Sequence, residues 1–184
     1  IVLGYYNEGV QYPVRGKQCS SEQIPSIGIK YKDYNTFAEA SLKDIYTQPD
    51  LEAGLHYKAQ TFASAVIHNK TGISFEVTPL PTEAQLSSIN SIIVEDINSD
   101  NILDLVLAGN LFGFEVETPR NDASYGVTLI GDGKGDFTNL PYSVTGLKLG
   151  KDTKAIATIN IGNTAAMLVA NNADTLQVIK ASSK

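Results

Sequence analysis

Nine residues, Asp96-Ile97-Asn98-Ser99-Asp100-Asn101-Ile102-Leu103-Asp104, put side-chain oxygens at the first, third, fifth and ninth positions of a short polar segment. Alternate residues of a curled loop point inward, so this spacing aims Asp96, Asn98, Asp100 and Asp104 at one centre. Calcium is a hard cation that takes about 6–8 oxygens at roughly 2.3–2.6 Å, and it is the ion such a donor set suits. The carbonyl of Ile102, at the seventh position, completes the protein's share, and water fills the remainder. Asn101 stands where such loops often carry Gly, and Asn tolerates the left-handed backbone well. The twelfth position is Leu107 rather than Glu and the flanks read as strands, so the segment is not an EF-hand. Magnesium prefers few carboxylates and several retained waters, and matches less well. The plain alternative is an Asx-rich surface turn in which Asp and Asn bond their own backbone.

A second cluster, Glu115, Glu117, Arg120, Asp122 and Tyr125, lies in a long connection further along. Paired carboxylates there could act as acid and base on a glycosidic bond, which makes part of a carbohydrate-active or other hydrolytic enzyme the competing functional reading. The alternative is a salt-bridged loop in which Arg120 and Asp122 pin the chain and Tyr125 opens a strand. His56 and His68 read as surface or interface residues rather than bases. Cys19 paired with His56 lacks a third orienting group and reads as a small buried hydrophobe. No Gly-x-Ser-x-Gly, no P-loop and no Gly-x-Gly-x-x-Gly between a strand and a helix occurs.

The elements that must position these residues start from the composition. The 184 residues suit one domain, and 42% hydrophobic against 18% charged residues permit a packed core. No apolar run approaches the ~20 residues of a transmembrane helix. Fourteen basic against 20 acidic residues, a net charge of −6, argue against nucleic acid or an anionic membrane as partner and suit a calcium-rich setting. One cysteine excludes an internal disulfide and a zinc finger. The chain opens on Ile1-Val2-Leu3-Gly4-Tyr5-Tyr6, without an initiator Met or a signal peptide, and reads as the C-terminal portion of a longer protein.

A fixed period runs through the second half. Met167-Leu168-Val169-Ala170-Asn171-Asn172 follows Leu105-Val106-Leu107-Ala108-Gly109-Asn110 by 62 residues, and Phe137 follows Phe75 by the same 62. Val94 and Ile97 map in the same way onto Ile156 and Ile159. At this offset Asp96, Asp100 and Asp104 become Thr158, Gly162 and Ala166, so the same chain reversal is expected there without a carboxylate. Each copy reads as four short strands, in the best copy Ser91–Glu95, Asp104–Asn110, Ser124–Ile130 and Phe137–Leu140, with Gly131-Asp132-Gly133-Lys134-Gly135-Asp136 as a hairpin. A partial copy at the front uses Ile1–Asn7 as its second strand and Phe62–Ile67 as its third. Between them, residues 17–60 form a helical insertion, with one helix over Thr36–Tyr46 capped by Asn35 or Thr36 and by Glu39, and a helical turn after Pro49.

Four antiparallel strands at a fixed period make a propeller blade, which cannot bury both faces alone. The fold expected is therefore mainly all-β: consecutive four-stranded antiparallel β-propeller blades with a small α-helical insertion in the first. The boundaries are 1–81 for an incomplete first blade carrying the insertion, 82–141 for the calcium-loop blade and 142–184 for a degenerate last blade. A β-sandwich with a helical insert is the second architecture. In a blade the acidic loop and the 131–136 hairpin share one end, and the insertion and the 111–123 loop share the other, the candidate binding side.

Asp-x-Asn-x-Asp-x-x-x-Asp-Leu followed by Gly-Asp-Gly-Lys-Gly-Asp-Phe resembles the FG-GAP/VCBS repeat, the blade of integrin-type propellers and of many exported bacterial proteins, over about residues 62–180. The resemblance implies that Asp96, Asn98, Asp100 and Asp104 bind Ca2+ and that the last copy is metal-free. It implies a non-enzymatic binding, adhesion or scaffold module in the extracytoplasmic space. Its partners would be a protein or carbohydrate ligand and the remaining blades of the parent chain.

Overall fold

The structure, a computed structural model, describes residues 2–114 and 118–180. It is mainly β, built of small antiparallel sheets with short helices, and it divides into two compact units, Ile1–Gln60 and Thr61–Lys184.

In the first unit Gly4–Asn7 (β1) pairs with Val10–Pro13 (β2). Glu8 and Gly9 join them with positive φ values of 49° and 81°, the backbone that a two-residue hairpin turn of the I′ kind requires. This corrects the expectation that the opening strand and the 62–67 strand are neighbours in one sheet. The β1–β2 pair is a sheet of its own, because the two-residue turn directly after β1 offers it a partner at almost no loop-closure cost.

Five short helices follow: α1 (Lys17–Gln23), α2 (Pro25–Lys30), α3 (Tyr34–Ala38), α4 (Leu42–Ile45) and α5 (Gln48–Ala53). The single helix expected over 36–46 is two. Asp33, not Asn35 or Thr36, is the N-cap of α3 and accepts from the Thr36 N–H at 2.7 Å. Glu39 ends that helix, and Ser41 with Asp44 forms a capping box that starts α4. Side chains that bond the backbone locally compete with helix propagation, and two such pairs eight residues apart stop and restart it. Pro49 and the N-cap Thr47 start α5. The apolar sides of these helices share a small core of Ile27, Tyr31, Phe37, Ala40 and Ile45.

The second unit holds three sheets. The front sheet pairs Ala65–Asn69 (β3) with Phe75–Pro79 (β4). The middle sheet is a four-stranded meander of Ile89–Glu95 (β5), Asp104–Gly109 (β6), Val127–Gly131 (β7) and Phe137–Leu140 (β8). The last sheet is Thr153–Ile161 (β9), Thr164–Asn171 (β10) and Gln177–Lys180 (β11), with a helical turn, α6 (Tyr142–Thr145), before it.

Some strand registers are related by the same offset that the sequence shows. Pairings Val66↔Thr78 and Asn69↔Phe75 of the front sheet become Thr128↔Leu140 and Gly131↔Phe137 of the middle one when both strands advance by 62 residues. A β-bulge recurs too: Asn90 is skipped between Ile89↔Gly109 and Ser91↔Ala108, and Lys154 between Thr153↔Asn171 and Ala155↔Ala170. From this bulge the second strands keep the offset of 62, whereas the first strands are offset by 64. The pairing of Val94 with Ile156 in the sequence comparison is thereby corrected: the counterpart of Val94 is Thr158.

Two apolar clusters tie the sheets together. Ile93, Val106 and Ala108 of the middle sheet bury against Ile156 and Val169 of the last, with Leu149 from the connection between them. On the other face of the middle sheet, Leu107, Val127 and Leu129 bury against Ala84 and Leu80 from the segment after β4.

Candidate functional site

The acidic loop, residues 96–103, is the turn of the β5–β6 hairpin beyond its last pair, Glu95↔Asp104. Its shape comes from its own side chains. Asp96 accepts the Asp100 N–H on Oδ1 at 3.1 Å and the Asn101 N–H on Oδ2 at 2.8 Å. Asn98 Oδ1 accepts the same Asp100 N–H at 3.0 Å, and Asp100 Oδ1 accepts the Ile102 N–H at 2.8 Å. The Asn98 amide donates to Asp100 Oδ2 at 2.8 Å. Ser99 and Asn101 adopt left-handed φ values of 65° and 67°, so the sequence expectation for Asn101 holds.

Asp104 is set apart at the base of the loop and is fully buried, at 0% exposure. Its Oδ2 accepts the Ile97 N–H and its Oδ1 the Gly131 N–H, both at 2.9 Å. One carboxylate thus fastens the loop to the start of the 132–136 hairpin, and the two turns lie at one end of the sheet, as the meander requires. A Cβ on Gly131 would collide with the Leu103 carbonyl oxygen, which is why this contact needs Gly. Asp132 organises the neighbouring hairpin, accepting the Lys134 and Asp136 N–H groups at 2.7 and 3.0 Å. The Lys134 N–H leads the set of bonds that holds the Asp132 carboxyl below the ordinary aspartate range.

The last copy reverses the chain at the expected place without a carboxylate, but through a much shorter turn. Thr158 and Asn160 stay in the ladder, paired with Met167 and Ala165. The chain then reverses through Gly162 and Asn163 alone, Gly162 taking φ 63°. At the position of Asp104 the last copy has Ala166, with no acceptor to gather a wide loop, so the ladder runs on to a tight turn.

Every candidate ligand is an oxygen, and the oxygens of Asp96 and Asp100 each accept a single N–H or amide donor within the loop, leaving lone pairs for a hard cation. Asp96, Asn98 and Asp100 are linked directly, whereas Asp104, also with one donor on each oxygen, is fully buried and bonded to Ile97 and Gly131 instead. Among the described residues no group of three or more His, Cys, Asp and Glu side chains is gathered as a metal cluster.

At the opposite end of the middle sheet is the 110–126 connection. Glu115 and Glu117 lie outside the described residues. Arg120 donates to Asp122 at 2.6 Å and stacks over the Phe112 ring at 4.6 Å, in an exposed pair that pins the connection. The Tyr125 ring is exposed, and its carbonyl accepts the Leu149 N–H at 2.7 Å. His56 bonds the Leu51 carbonyl at 2.5 Å, Cys19 is half-buried, and His68 packs over Gly135.

Buried polar residues away from the acidic loop carry the joints between segments. Asn110, fully buried at φ 76°, donates its amide to the Ser124 and Lys151 carbonyls and accepts the Ser124 N–H. Asn90, the bulge residue, bridges the Asn110 and Thr153 carbonyls at 2.8 Å each. Asp152 is buried, with Lys154 at 2.5 Å and the Asn172 amide at 3.1 Å. Burial pushes its carboxyl up, but bonds from Lys154, Asn172 and the Phe112 N–H outweigh that and leave it below the ordinary range. The signal for Asn110 was its recurrence as Asn172 at the 62-residue offset.

No family model matches the chain, and comparison with curated proteins and with solved structures found no match. Among the described residues no helix is long and apolar enough to cross a membrane.

Proposed function

We propose that the chain is a non-enzymatic, calcium-binding segment of an exported repeat protein of the FG-GAP/VCBS type. In this reading its sheets are successive propeller blades, and it serves as a binding, adhesion or scaffold module. One observation carries the reading. Two related sheets reverse the chain differently, the last through two residues and the middle through an eight-residue acidic loop fastened by a buried aspartate. The loop is more than chain reversal needs, and its surplus is hard oxygen donors.

Asp96, Asn98 and Asp100 with the Ile102 carbonyl would hold the ion, and Asp104 would hold the loop. Bound calcium would neutralise the carboxylates and cross-link the loop. Two carboxylates and neutral oxygens form a low-charge donor set, of the kind found in extracellular modules with dissociation constants of about 10⁻⁴–10⁻³ M. Calorimetric titration with calcium chloride tests this on the whole chain. Saturable heat in that range, absent in Asp100→Ala, is expected. No heat up to 10-fold above the range (about 10 mM) overturns the calcium assignment.

A further inference from the structure

One stretch of the chain makes almost no structure of its own. Every residue from Glu52 to Phe62 is exposed, and no helix or strand lies between Ala53 and Ala65. Leu55, Tyr57 and Phe62 are 81%, 89% and 93% exposed, so their large side chains take no part in a core. Among the described residues, none from Leu55 to Phe62 makes a backbone-to-backbone hydrogen bond. The anchors of the stretch are side-chain contacts. The His56 ring meets the Leu51 carbonyl, and the Lys58 ammonium lies 6.0 Å from the centre of the Tyr6 ring. An exposed cation–π contact of this length is weak and does not fix a backbone.

Each strand ladder and each apolar cluster lies wholly before or wholly after this stretch. β1 and β2 pair before it, and the pairings of β3 to β11 lie after it. The core of Ile27, Tyr31, Phe37, Ala40 and Ile45 precedes it, and both clusters of the second unit follow it. A break here opens no ladder and no core. An endopeptidase binds its substrate extended on both sides of the bond it cuts, so it attacks a folded chain where the backbone is free to straighten. Lys58 is the only Lys or Arg between Lys43 and Lys70. Residues 53–62 contain no Asp, Glu or Pro, the residues that oppose cleavage beside a basic side chain, although the whole chain has 20 acidic residues. Several other basic side chains are tied down: Lys70 pairs with Glu76, Arg120 with Asp122, Lys151 with Asp174 and Lys154 with Asp152.

We propose that the Lys58–Ala59 peptide bond is a processing site for an endopeptidase of trypsin type, whose specificity pocket carries a carboxylate that receives Lys or Arg. Water adds across the bond: its hydroxyl goes to the Lys58 carbonyl carbon and its remaining hydrogen to the Ala59 nitrogen. The cut divides the chain and leaves the ladders of the three sheets, with the acidic loop, whole. The proposal goes beyond the calcium reading and does not depend on it.

Limited digestion of the full chain with trypsin tests it, with the products identified by mass spectrometry. A bond inside a ladder is cut only after the ladder opens, and folded states outweigh open ones by about 10³–10⁸-fold, whereas this stretch needs no opening. The first cut that divides the chain is therefore expected after Lys58, and the piece that starts at Ala59 is expected to accumulate. Lys58→Gln should slow division of the chain by at least about 10-fold, with a thermal melt within about 3 °C of the parent. Ala59→Pro, which keeps Lys58 and blocks the bond, is expected to resist equally. A first dividing cut elsewhere overturns the proposal, and so do variants that are divided as fast as the parent. So does a piece from Ala59 onward that is degraded as fast as it forms, because the stretch would then belong to the fold of the sheets. The calcium titration of the uncut chain is a separate measurement, so either reading can fail while the other stands.

Discussion

Replacing Asp104 with Ala removes the carboxylate that hydrogen-bonds the acidic loop to the neighbouring hairpin. The carboxylate is fully buried and accepts two backbone N–H groups, from Ile97 and Gly131, at 2.9 Å each. Hydrogen bonds to a charged acceptor contribute about 1.5–3 kcal/mol each, and a buried donor left unpaired costs about 1–3 kcal/mol. The Gly131 bond is buried and loses in full, whereas the Ile97 N–H is only partly buried and can recover water. The expected destabilisation is about 3–5 kcal/mol, a large share of the roughly 5–15 kcal/mol that holds a domain together. Asp104→Asn keeps one acceptor oxygen and turns a donor toward the other N–H, so about half that loss is expected. Urea unfolding reads the total, and amide exchange reads the two bonds. Ile97 and Gly131 should lose protection first, with the ladder pairs at Val94 and Leu105 following only in global unfolding. A Leu or Val side chain elsewhere in the sheet would not give this local pattern. If Asp104→Ala unfolds within about 0.5 kcal/mol of the parent, the aspartate does not fasten the loop, and its presence does not explain why the two turns differ.

Calcium at 10–100 times its dissociation constant should stabilise the folded chain by about 1.4–2.7 kcal/mol, a rise in Tm of roughly 3–10 °C that Asp100→Ala abolishes; coincident melts with and without chelator would count against it. Gly131→Ala should cost about 1–3 kcal/mol by driving a Cβ into the Leu103 carbonyl, and a neutral result in a thermal melt would show that the close approach is not tight. The Asp152 carboxyl is held below its unfolded value of 3.8, so its contribution is complete above that value and is lost as pH falls through the lower folded value. The stability gap between the parent and Asp152→Asn should accordingly be full at pH 6 and shrink below about pH 4, and a gap unchanged down to pH 2 contradicts this.

Much of the molecule was legible because it is set by neighbours in sequence. The middle sheet follows from alternation and turn chemistry: the strands β5, β6, β7 and β8 fall within three residues of their expected ends, and the Gly-Asp-Gly-Lys-Gly-Asp hairpin lies where its glycines put it. The left-handed Asn101 and the inward bonding of Asp96 and Asp100 are likewise local, since each side chain reaches a backbone group within five residues. The offset of 62 relates the β3–β4 pairing to the β7–β8 pairing, because a β-ladder fixes both strands together once one pair is set, whereas the strands β5 and β9 differ by 64.

Tertiary structure decided what periodicity cannot. The opening strand pairs with Val10–Pro13 because a nearby turn makes the local partner cheaper than a distant one. The insertion's expected helix is two, since propensity counts residues while caps such as Ser41 and Asp44 act through specific bonds. Most of all, the four oxygen side chains of the acidic loop looked equivalent in sequence and are not. Asp96, Asn98 and Asp100 organise the loop itself, while Asp104 is buried and bonded across 27 residues to Gly131. Burial and a long-range partner are properties of packing, so spacing alone could name the carboxylates but could not assign one to the joint and the others to the loop.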